Sequence, residues 1–144
     1  MPTLAPPAAP EAVAVTLWQV KLACRTALGL LWVLEGLLPK LWVPTPEQAV
    51  VVARIFPPSL LPTAPLVTVI GVAQVVFGLW VLSGRGERTA ALLSSLGVTV
   101  ATVLLTLFVP EAWVHFYGGA LKNAALLACG YAVWALAPLA PRKP

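Results

Sequence analysis

The chain has 144 residues, 60% of them hydrophobic and only 10% charged, with a mean hydropathy of +0.92 and a formal net charge of +4. A soluble domain typically carries ~45–50% apolar and ~25% charged residues. This chain cannot supply the polar shell of a water-soluble fold, and its length and composition describe a single membrane-embedded domain. Its nine basic residues occur in ones and twos, without a basic run or an aromatic-interleaved patch, which excludes a nucleic-acid partner.

Residues 1–15 are rich in Pro and Ala and read as a disordered tail. The start lacks the basic n-region of a signal peptide. Lys21-Leu22-Ala23-Cys24 has the outline of a lipoprotein cleavage box, but the lysine before the leucine argues against one, and no cleavage is expected. A four-span membrane domain is then expected over 16–138, followed by a short basic tail over 139–144.

The first span gathers over 16–38. Lys21 and Arg25 near its start can snorkel to the headgroups, and Pro39 should end or kink it. Within it the run L-G-L-L-W-V-L-E-G-L-L-P-K-L-W over 28–42 carries one carboxylate, Glu35, about a turn before Pro39 and Lys40. An acid at the centre of a membrane helix costs roughly 2.5–3.5 kcal/mol on insertion scales, so Glu35 calls for a partner or a task. Residues 41–65 hold six prolines and are too broken to span. Inside them Thr45-Pro46-Glu47-Gln48 has capping-box spacing, predicting a short interfacial helix over 48–56 with Thr45 as N-cap and Trp42 as aromatic anchor.

The second span covers 66–82, uncharged, with Gln74 near its middle. A tight charged turn follows over 83–88, and the third span covers 89–109, stopped by Pro110. A polar and aromatic loop over 111–117 leads to a fourth span over 118–136, with Lys122 and Asn123 in its first turns. Small residues at four-residue spacing, Ala120, Ala124, Ala128 and Ala132, with Gly97 and Ala101 in the third span, suit close helix packing. The expected fold is therefore all-α, a transmembrane four-helix bundle with a short interfacial helix between spans 1 and 2.

Four spans put both termini on one side, together with Lys21, Arg25, Arg85, Arg88, Arg142 and Lys143. The positive-inside rule makes that side the cytoplasm and the location the cell membrane. Glu35 and Lys122 then lie at matching depth in the outer half. The candidate polar pocket comprises Glu35, Lys40, Gln74, His115, Lys122 and Asn123, with Thr106 and Glu111 nearby. It can hold a headgroup, a quinone or a polar group of a partner. Alternatively, Glu35 and Lys122 are a single bridge that pins helix 1 to helix 4.

Other motifs carry less. His115 and Glu111 at i, i+4 lack further ligands for a metal and suit an interfacial aromatic cluster. Gly84-x-Gly86 is a turn, without the third glycine of a nucleotide loop. Cys24 and Cys129 form no C-x-x-C and read as inert apolar residues, so no redox group is visible. No arrangement of serine, cysteine and histidine suggests nucleophilic catalysis.

The motifs W-V-L-E-G-L-L-P-K-L over 32–41 and H-F-Y-G-G-A-L-K-N over 115–123 resemble the DoxX-like family of small four-helix membrane proteins. The resemblance spans nearly the whole chain from the first span onward. It singles out Glu35, Gly36, Pro39 and Lys40 in the first motif, and His115, Gly119, Lys122 and Asn123 in the second. The wider group includes the small subunit of a thiosulfate:quinone oxidoreductase, which implies quinone-linked chemistry with quinone as the candidate cofactor. Two readings follow. One is a non-catalytic membrane subunit or accessory protein that binds lipid, a membrane or redox partner protein, or a second copy of itself. The other is a quinone-interacting subunit of a membrane oxidoreductase.

Overall fold

A computed structural model describes residues 10–59, 61–114 and 121–139. Among them every regular element is helical: α1 (Pro10–Gly36), continued by a π-helical segment (Leu37–Trp42), then α2 (Pro46–Ile55), α3 (Thr63–Ser83), α4 (Glu87–Phe108), a 3₁₀ turn (Pro110–Trp113) and α5 (Leu121–Leu136). Three helices are long and apolar enough to cross a bilayer: Pro10–Trp42, Thr63–Ser83 and Glu87–Phe108. The described part of α5 has 16 residues, or about 24 Å at 1.5 Å per residue, short of a ~30 Å hydrocarbon core. The described helices therefore establish three candidate crossings, not the expected four-span bundle.

α1 is the central element. It packs on α3 along one side and on α5 along another; α5 also packs on α4, whereas α3 and α4 scarcely touch. The buried cluster is small: Leu28, Val81, Ala90, Val98 and Leu126, flanked by Trp32, Phe77 and Trp80. Trp32 and Phe77 stack edge to face at 5.2 Å, and Phe77 and Trp80 at 5.7 Å. Meanwhile Val69, Val76, Leu96 and Leu107 are all more than half exposed. Large apolar side chains around the perimeter suit hydrocarbon as the surrounding medium.

Close approach is concentrated where α1 crosses α3, not on the alanine ridges. Gly29 and Gly36 of α1 face Gly78 and Gly71 of the antiparallel α3. A Cβ on Gly78 would stand 2.7 Å from Gly29 O and 2.7 Å from Val33 N, and one on Gly71 would stand 3.0 Å from Gly36 O. The backbones touch because neither helix has a side chain there, as favours association in lipid, where burial of apolar surface adds little. Of the ridge residues expected to play this part, Ala124 and Ala128 are exposed and Ala120 lies outside the described residues. Gly97 instead underlies the Trp32 ring.

Several boundaries differ from the sequence expectation. α1 starts at Pro10, inside the stretch read as a tail, because that stretch is rich in alanine beyond the proline and Pro is tolerated in a first helical turn. Pro39 does not end the helix: the chain widens into a π-helical turn, with Val43 N donating to Leu38 O at 2.9 Å. This adjustment accommodates a proline without breaking the element. α2 forms where expected, with Pro46 in its first turn and Val52 buried against its neighbours. The Thr45 side chain makes no capping hydrogen bond; only its backbone carbonyl engages the helix, accepting from Gln48 N at 3.2 Å. Thr45→Ala is accordingly expected to change the thermal midpoint in detergent by less than the ~1 kcal/mol typical of a lost N-cap. Limited proteolysis across 41–65 should run at the wild-type rate.

Candidate functional site

The structure sorts its polar residues into two layers at opposite ends of α1. At one end, Lys122 Nζ donates to Glu35 Oε1, joining α5 to α1. The pair keeps 37% and 31% side-chain exposure, so it is half-buried and open to an incoming group. Lys40 is buried at 7% exposure and donates from Nζ to the backbone carbonyl of Glu35 at 2.8 Å. The local sequence explains this contact. Pro39 has no N–H with which to close the ordinary helical bond to the carbonyl four residues earlier, which is that of Glu35, and the lysine ammonium supplies a donor there. Two cations thus converge on one glutamate, through its carboxylate and through its main chain.

Asn123, buried at 7% exposure, donates from Nδ2 to Thr102 Oγ1 at 2.7 Å, and Thr102 in turn donates to Val98 O at 2.7 Å. This chain ties α5 to α4 beside Lys122. Thr106 accepts from Trp113 Nε1 at 3.0 Å. Arg54 of α2 pairs with Glu111 at the exposed rim. Gln74 lies at the α1–α3 crossing, where a Cβ on Gly36 would stand 2.9 Å from Gln74 Cβ. Its Oε1 is buried without a hydrogen-bond donor among the described residues. A buried acceptor left unsatisfied costs on the order of 1–3 kcal/mol, which makes it a point where a donor would be welcome.

Of the six expected site residues, the structure brings together Glu35, Lys40 and Lys122, sets Asn123 beside them, and places Gln74 on the other face of α1. His115 lies outside the described residues, as does Gly119. Among the described residues no three histidine, cysteine, aspartate or glutamate side chains gather as a metal cage. A groove runs along α3 past Val69, Val72, Val76 and Trp80, away from this cluster. It is apolar and faces outward, as a lipid-covered surface does.

The opposite end holds a layer that sequence reasoning missed. Lys21, only 4% exposed, donates to Glu87 Oε2 at 2.9 Å and to the backbone carbonyl of Leu139, while Arg25 pairs with Glu87 Oε1. One carboxylate in the first turn of α4 thus holds two cations a turn apart on α1. Two glycines with positive φ, Gly84 at 69° and Gly86 at 63°, make the turn that delivers Glu87, and Arg25 lies directly over Gly84. Between the layers, fully buried Ser94 accepts from Trp32 Nε1 at 2.7 Å. The available signal was the i, i+4 spacing of Lys21 and Arg25, since two cations on one helix face call for an acid in the facing turn.

These features define an all-helical integral membrane protein, apolar outside, whose helices are tied by polar residues in layers. The DoxX-like family model matches residues 29–131, and the chain belongs to that family. No curated protein and no solved structure matches it.

Proposed function

We propose that this protein is a non-catalytic integral membrane subunit or accessory protein, and that the layer around Glu35 and Lys122 receives an acceptor-rich polar group from lipid or from a partner. The observation that carries this reading is the imbalance at Glu35, where two ammonium groups meet a single carboxylate: Lys122 pairs with it, Lys40 donates to the same residue's backbone carbonyl, and both members of the Glu35–Lys122 pair stay partly exposed. An excess of donors in a region of low dielectric favours a ligand that brings acceptors. A quinone is the second reading: its carbonyl oxygens are acceptors that Lys122 and Asn123 suit. With four spans, the positive-inside argument supports an outer-half position in a cell membrane for this layer, with both termini cytoplasmic.

A double-mutant cycle separates a site from a pin. Glu35→Gln and Lys122→Met should each lower the thermal midpoint in detergent. The loss should fall between the ~1 kcal/mol of an exposed pair and the ~3 kcal/mol of a broken buried one. The double variant should recover part of it, whereas strict additivity would refute the coupling. Gentle-detergent pull-down and lipid extraction are then performed on wild type and double variant. A folded double variant that has lost a co-purifying protein or quinone supports a binding role; one that retains everything the wild type carries leaves the pair as a pin.

Topology is tested with single cysteines at Ser59 and Ser83, both exposed, in a background lacking Cys24 and Cys129. An impermeant maleimide applied to intact cells should label position 59 and spare position 83. The reverse pattern would invert the orientation.

A further inference from the structure

The fold brings together two thiols that lie far apart in sequence. Leu28 of α1 and Leu126 of α5 belong to the same buried cluster, and Cys129 packs against it. Cys24 is one turn before Leu28 and Cys129 is one turn after Leu126, at i, i+4 and i, i+3, spacings that share a helix face. α1 and α5 run antiparallel, since Glu35 meets Lys122 at one end while Lys21 reaches the Leu139 carbonyl at the other. A step backwards along α1 and a step forwards along α5 therefore travel in the same direction. Cys24 and Cys129 arrive at one level, near enough to interact through their sulfur atoms. Both are free and part-buried, and they are the two cysteines of the chain. Two cysteines without a shared sequence motif are thus set side by side by helix packing.

We propose that Cys24 and Cys129 form a redox-active dithiol that closes to a disulfide between α1 and α5 by exchange with a disulfide-bearing oxidant. In the first step the thiolate of one cysteine attacks a sulfur of the incoming disulfide, giving a mixed disulfide and releasing one thiol. In the second, the other cysteine attacks the protein-side sulfur of that bond and releases the second thiol. Two S–H bonds are lost and one S–S bond forms in the protein. The incoming S–S bond breaks, and its two halves take up the two electrons and two protons. A dithiol reductant reverses the sequence. The bridge lies between the two polar ties that already join α1 to α5. This chemistry is independent of the Glu35–Lys122 layer.

The test uses the full chain, purified in detergent and reduced, then freed of reductant and treated with one molar equivalent of 4,4′-dithiodipyridine. Release of two thiopyridones per chain is expected, with an intact mass lower by two hydrogens and no pyridyl adduct, and a non-reducing digest should link the Cys24 peptide to the Cys129 peptide. Cys24→Ser and Cys129→Ser should each release one thiopyridone and retain a stable adduct that dithiothreitol removes. One thiopyridone with a retained adduct on the wild type would overturn the proposal. So would a disulfide-linked dimer, or no release at all while denatured protein reacts fully.

Discussion

Gly78→Val is expected to abolish the folded protein. The new side chain would enter a space where even a Cβ stands 2.7 Å from Gly29 O and from Val33 N, and where Val33 Cγ2 lies equally close. The obstructing atoms are mostly backbone, so rotamer changes cannot relieve the clash and α1 must separate from α3 along its length. Overpacking a side-chain core costs typically ~1–3 kcal/mol. Displacing a helix from its principal partner should exceed that, because the π-helical turn and the Glu35 layer depend on the same crossing. Fluorescence size-exclusion of the detergent extract should show loss of the monodisperse peak. Gly86→Ala is the matched control: nothing lies within 4 Å of its Cβ, so only its φ of 63° opposes the change. That left-handed conformation costs an L-residue about 1–2 kcal/mol, and the control should fold with a lowered midpoint. Equal behaviour of the two variants would contradict the close crossing.

Glu87→Gln should be the most damaging change that alters no shape. It keeps the volume and removes the charge that holds Lys21 and Arg25, and Lys21 has only 5% side-chain exposure. Leaving an uncompensated buried charge costs roughly 3–5 kcal/mol. Arg25, with 22% side-chain exposure, can relieve part of its share by turning toward the headgroups. The thermal midpoint in detergent should therefore fall further than in Glu35→Gln, whose pair is half-exposed. Combining Glu87→Gln with Lys21→Met should restore much of the stability, since the ammonium left without its carboxylate is then gone. If Lys21→Met worsens Glu87→Gln, the burial of Lys21 is not what makes the carboxylate necessary.

Composition alone placed this protein in a membrane, because 60% hydrophobic and 10% charged residues leave no means of covering a core with polar surface. Proline and glycine placement located α2, α3 and α4 to within about three residues, since those residues act through the local backbone, whereas α1 starts earlier and runs on past Pro39. Glu35 and Lys122 were legible as partners for a related reason: each is costly alone in an apolar run, and counting helical rise put them at one depth. What the local pattern could not carry was the rotation of one helix about its axis against another. That rotation decides that Gly29 and Gly36 meet Gly78 and Gly71 while Ala124 and Ala128 of α5 turn outward, and that Glu87 lies under Lys21 and Arg25. It also sets Cys24 beside Cys129 across more than a hundred residues of sequence. In lipid an apolar face gains little by facing inward, so hydrophobic periodicity does not specify rotation. Backbone approach at glycine and the pairing of a few polar groups do, and both become visible only when the helices are packed.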